Sequence, residues 1–183
     1  MENSLYAVMA VVGAVVLFVI HRITIELDMR GNSGRIFSRV IGVSALFCLC
    51  DAVWGVFASR ANPSEYNFFV IASILFHVMA TFIAYVWSMY TFSCLDIAIK
   101  GVYKVVAFIP FLAAFILILV TLPEGKIFII DENMAYSSGA YRRILFIIQL
   151  GYLFVGMLVT VLTIKKKTFG DIEKRNIFRG MLT

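Results

Sequence analysis

Charge is what this chain has least of. Only 15% of its 183 residues are Asp, Glu, Lys or Arg. They are kept out of five long stretches, which lie between Glu2 and Arg22, Arg39 and Arg60, Glu65 and Asp96, Lys104 and Glu124, and Arg143 and Lys165. Asp51 is the one charge inside any of them. With 62% hydrophobic residues besides, this scarcity excludes a water-soluble fold, because a domain of this size cannot hide so much apolar surface. Each stretch holds a helix of about 20 residues, enough to cross a hydrocarbon core roughly 30 Å thick.

The other shortages exclude chemistry. Cysteine is rare and odd in number: Cys48, Cys50 and Cys94 lie within or at the end of apolar runs, without metal-ligand spacing, which argues against a disulfide framework and for small buried hydrophobes. The two histidines, His21 and His77, fall at opposite membrane faces and cannot share a metal. There is no His-Glu-x-x-His, no phosphate-cradling glycine loop, no nucleophile elbow and no acidic cluster, so no catalytic residue, metal or cofactor is expected. No lysine interrupts a run, which excludes a retinal-type Schiff base. The net charge of +5 sits in short loops and a tail, where anionic lipid headgroups account for it better than a nucleic acid does.

What is present is an asymmetric ladder of charge. Twelve of the sixteen basic residues (Arg22, Arg30, Arg35, Arg39, Lys100, Lys104, Lys165, Lys166, Lys167, Lys174, Arg175 and Arg179) fall on one side of the five runs; Arg60, Lys126, Arg142 and Arg143 fall on the other. Lys and Arg are retained on the cytoplasmic side. The expectation is therefore an all-α integral membrane protein of the cell (plasma) membrane, a multi-pass bundle of five transmembrane helices with the N-terminus outside and the C-terminus cytoplasmic. The spans fall at about 4–24, 36–59, 67–94, 102–122 and 141–164, forming one domain over 1–164. The first run lacks a basic leader and a cleavage site and reads as a retained signal anchor. Pro110 should bend the fourth span.

The connections are unequal. Segments 30–34 and 61–64 carry the Gly, Asn and Pro of tight turns. Segment 122–141 is longer: 126–130 is β-prone, 131–133 can turn and 135–139 can return, which suits a small extracellular β-hairpin over the outer face. It reads either as a lid on an outward pocket or as a linker with anchoring aromatics. Residues 165–183 form a basic juxtamembrane helix or linker, with Ile172, Ile177, Phe178, Met181 and Leu182 on one side of a helix from 171 to 182.

Polar groups inside spans are the candidate site, since an Asp at mid-span costs roughly 2.5 to 3.5 kcal/mol on insertion scales. Helical spacing aligns Ser44, Cys48, Asp51, Gly55 and Ala58 in the second run. It aligns Ser73, His77, Ala80, Thr81, Ala84, Ser88 and Thr91 in the third, and Gln149, Tyr152, Gly156, Thr160 and Thr163 in the fifth. At about 1.5 Å rise per residue, Asp51, His77 and Gln149 lie at one depth, roughly 12 to 14 Å in. They are expected to form a hydrogen-bonded cluster, with Trp54, Thr81 and Tyr152 beside it. Three roles stay open: interhelical adhesion, a pocket for a small-molecule ligand or signal, and a proton or ion path.

The chain also resembles the N-terminal membrane input regions that precede bacterial GGDEF diguanylate cyclase domains and some histidine kinase modules. The likeness is carried by Asn32 and Arg35-Ile36-Phe37, by Asp51-Ala52-Val53-Trp54, by Phe128-Ile129-Ile130-Asp131 and Tyr136-Ser137-Ser138-Gly139, and by 174–182. It implies a sensor domain that passes a signal to a fused cytoplasmic signalling domain or through a homodimer, any cyclase or kinase activity residing outside these residues. The alternative is a small transport component binding a small-molecule substrate, similar to the membrane subunits of energy-coupling-factor vitamin transporters.

Overall fold

The structure is a computed structural model that describes residues 2–26, 32–60, 62–95, 101–131 and 133–166. Five helices dominate it: α1 (Glu2–Glu26), α2 (Asn32–Arg60), α3 (Tyr66–Cys94), α4 (Gly101–Thr121) and α5 (Arg142–Lys166). All five are long and apolar enough to cross a membrane. Between α4 and α5 lies an antiparallel pair of short strands, β1 (Phe128–Ile130) and β2 (Tyr136–Ser138), with Ile129 opposite Ser137.

Helices α1, α2 and α5 run beyond their apolar stretches, because helical hydrogen bonds are satisfied internally and need not stop where the bilayer does. One boundary differs in kind. Asn32 to Gly34, expected in a turn, form the first turn of α2. At the other end of α2 the expected turn is present. Asn62 Oδ1 accepts from the backbone N–H of Ser64 at 3.2 Å and from its hydroxyl at 3.0 Å. Pro63 opens a 3-10 turn there, and Arg60 pairs with Glu65 at 3.8 Å. The tail helix expected over 171–182 lies outside the described residues.

Helix α3 is the centre of the bundle and packs against α2, α4 and α5, while α1 lies along α2. Small residues make these approaches close. Ala7 and Ala14 of α1 and Ala45 and Ala52 of α2 are buried. Gly42 faces the ring of His21, whose Nδ1 is 3.1 Å from Ser38 Oγ, and Gly156 of α5 faces Thr91 of α3. The outward faces are apolar instead: Val105 and Ile147 are each 65% exposed, which suits acyl chains and not water.

The expected polar stripes do turn inward. Ser73, His77, Thr81 and Ser88 on α3, and Tyr152 and Thr160 on α5, are all buried. Several spend their hydroxyls on their own helix: Ser44 donates to the carbonyl of Val40, Thr81 to that of His77 and Thr160 to that of Gly156. This back-bonding satisfies a hydroxyl in a medium without water. The three cysteines are half-buried and in no disulfide.

The hairpin does more than lie over the bundle. Its inner side chains Phe128, Ile130 and Met134 join Phe69 of α3, Ala114 and Ile118 of α4 and Leu145 of α5 in the main apolar core. Each such side chain contributes roughly 1.5 to 3 kcal/mol when fully buried. A tight turn aims them. Met134 N–H donates to the carbonyl of Asp131 at 3.0 Å, Asp131 N–H to that of Ala135 at 3.1 Å, and Ala135 N–H to Asp131 Oδ1 at 2.7 Å. The turn needs a left-handed residue, and Met134 fills that role at φ 62°. That conformation costs a side-chain-bearing residue roughly 1 to 2 kcal/mol, which burial of the Met134 side chain offsets.

Candidate functional site

The site forms where β2 meets α2 and α3. His77 is 3% exposed, and its Nδ1 lies 2.7 Å from the carbonyl of Ser73 one turn earlier. A carbonyl oxygen can only accept, so Nδ1 is assigned the proton and, in the neutral ring, Nε2 is left as an acceptor. The hydroxyl of Tyr136 sits 3.3 Å from that nitrogen and is oriented to donate. Trp54 of α2 donates its indole N–H to Ser73 Oγ at 3.1 Å. Ser73 therefore links Trp54 and His77, accepting from one at its side chain and from the other at its backbone.

Aromatic rings complete the enclosure. Phe128 stacks on His77 at 5.6 Å with 19° between planes, and Trp54 meets Tyr136 edge-on at 5.3 Å. Phe76 packs against both Trp54, at 5.6 Å, and His77, at 5.3 Å. Contacts of this geometry contribute about 0.5 to 1.5 kcal/mol each beyond the area they bury. On the outer side of Tyr136 the guanidinium of Arg142 lies 5.9 Å from the ring centre. Burial pushes the Tyr136 phenol above its ordinary range, a shift that Arg142 partly opposes, so Tyr136 is a neutral donor at physiological pH.

Deeper in the bundle a second set of bonds continues the first. Thr81, fully buried, donates to the carbonyl of His77 at 3.0 Å and accepts from the amide of Gln149 at 3.2 Å. One turn along α5, Tyr152 reaches α4. Its hydroxyl donates to the carbonyl of Ala107 at 2.7 Å and accepts from the N–H of Phe111 at 2.9 Å. In an uninterrupted helix Phe111 N–H would donate to Ala107 itself. Pro110, between them, has no N–H to donate, and the Tyr152 hydroxyl is inserted into the ladder beside it.

Of the six residues expected at the site, Trp54 and His77 share one polar network and Thr81 and Gln149 attach to it through the backbone of His77. Gln149 meets Thr81, while both His77 ring nitrogens face other groups. Tyr152 serves α4. Asp51 is half-buried on α2, one turn before Trp54. Ser73 and Tyr136 were not expected as site members. Ser73 was legible as a stripe residue one turn from His77, whereas nothing local says that Tyr136 of a surface hairpin reaches a mid-helix histidine.

Among the described residues no group of His, Cys, Asp or Glu side chains could hold a metal ion. Comparisons with protein-family models, with curated proteins and with solved structures find no match.

Proposed function

We propose that this chain is a membrane-embedded sensor or input domain, with the hairpin end extracytoplasmic, that transmits a signal to a cytoplasmic output module. The observation that carries the reading is a run of polar contacts from the hairpin to Gln149 of α5, with a second set from α5 to the backbone of α4 beside Pro110. Tyr136 touches His77, Thr81 bonds to the His77 backbone, Gln149 bonds to Thr81, and Tyr152, on the same face of α5, bridges the backbone of α4. A displacement at the rim thus has a physical route to α4 and α5, both of which continue to the opposite end. Charge supports the orientation: the hairpin end carries Arg60, Lys126, Arg142 and Arg143, and the larger basic set falls in the segments that the sequence puts on the other side of the spans. The cell membrane as location and the likeness to input regions of GGDEF cyclases and histidine kinases belong to the same proposal.

The test is a distance across the far end. With Cys48, Cys50 and Cys94 replaced, spin labels at Lys104→Cys on α4 and Leu162→Cys on α5 report its geometry in lipid nanodiscs. Replacing Tyr136 by Ala should shift the distance distribution. Superimposable distributions would reject a sensor and favour the transport or purely adhesive role.

A further inference from the structure

We propose that the receptacle walled by Trp54, Phe69, His77 and Phe128 binds a hydroxylated aromatic molecule of the phenol class, which takes the place that Tyr136 holds as an internal stand-in ligand. This rests on the sensor reading of the same site and names the chemistry of its signal.

The argument starts from what the receptacle contains. It is lined by aromatic faces, and among the described residues the acceptor it offers to an incoming group is His77 Nε2, because Nδ1 is committed to the Ser73 carbonyl and the Trp54 N–H to the Ser73 hydroxyl. An apolar box with a single inward acceptor selects a planar apolar body carrying one O–H donor. The group now found there, a tyrosine side chain, is such a body.

Tyr136 is also the part of the hairpin best able to leave. Phe128 and Ile130 of β1 and Met134 of the turn are buried anchors, whereas Tyr136 is the half-buried member of a strand whose other residues, Ser137 and Ser138, face outward. Its bond to Nε2 is 3.3 Å long, towards the long end of the hydrogen-bond range. A tethered side chain cannot optimise that distance without moving β2. A free phenol can. Exchange of the one for the other therefore moves Tyr136 outward past Arg142 while β1 stays seated, and it loosens the rim of the polar run described above.

Trp54 reports the exchange because its indole meets the Tyr136 ring edge-on. In a Trp87→Phe background in nanodiscs, 4-propylphenol should change Trp54 emission saturably. 4-Propylanisole, which partitions into lipid at least as well but lacks the donor, should not. Replacing Tyr136 by Ala removes the internal competitor and should tighten the phenol by about tenfold, as expected if the open receptacle is populated near a tenth of the time. Equal responses to phenol and anisole would reduce the effect to partitioning into lipid and overturn the proposal, as would an affinity that Tyr136→Ala leaves unchanged. The wild-type comparison of the two probes decides the matter even if a variant fails to fold. The same samples carrying the far-end labels separate the two ideas. Phenol binding that depends on Tyr136 but leaves the 104 to 162 distance fixed upholds the ligand class and rejects the sensor. A distance shift in Tyr136→Ala without selective phenol binding does the reverse.

Discussion

A β-carbon at Gly139 would overlap the backbone carbonyl of Lys126. At that point the chain returning from the hairpin crosses the chain entering it, and Gly139 N–H donates to Ile127 at 2.8 Å while Tyr141 N–H donates to Lys126 at 2.8 Å. Gly139→Ala should therefore open the base of the hairpin and lower stability by about 1 to 3 kcal/mol, the range for overpacking. Thermal unfolding in detergent, with limited proteolysis between 126 and 140, would show it. At Tyr136 the prediction concerns pH. Burial raises its folded pKa above that of a free phenol, so its contribution is complete below about pH 10 and is lost as pH rises through the folded value. The unfolding midpoint should fall in alkali more steeply for the wild type than for Tyr136→Phe, and parallel curves would contradict this. Neither effect can be read from the neighbouring sequence, because Gly139 looks like any turn glycine until the backbone it crosses is known.

Helix α4 shows how an element can depend on a residue outside it. The sequence places Pro110 inside α4, but the group that bonds to the backbone beside it comes from α5. Tyr152 donates to Ala107 and accepts from Phe111. Removing the hydroxyl in Tyr152→Phe should let Phe111 approach Ala107, and the cost should depend on whether Pro110 is present. In a double-mutant cycle Tyr152→Phe and Pro110→Ala should be non-additive by at least 0.5 kcal/mol, roughly the threshold for residues that share a network. Strict additivity would mean that the proline and the hydroxyl act separately. The stripes on α3 and α5 were legible because helical periodicity alone decides which side chains share a face. Which partner each polar group would find was not, since Gln149, Tyr152 and Thr160 lie on one face yet bond to α3, to α4 and to their own helix.

At the scale of the whole molecule the orientation is open to direct test. A membrane-impermeant thiol reagent applied to intact cells should label Ser137→Cys on the hairpin and spare Lys104→Cys at the start of α4, in a background without native cysteines. The reverse pattern would invert the topology and, with it, the side from which a signal arrives. The number and approximate limits of the helices were set by the sequence itself. The spacing of charges decides where a chain can cross a hydrocarbon core, and that spacing is a one-dimensional property. Even the hairpin follows from local β propensity around a turn. What only the tertiary structure decided is where the hairpin goes and what it touches. Phe128, Met134 and Tyr136 are drawn into the bundle mouth by apolar area supplied from α3, α4 and α5, and the acceptor that meets Tyr136 is 59 residues away in the chain. Burial energy depends on surfaces brought together from distant segments, and no pattern within a single segment encodes it.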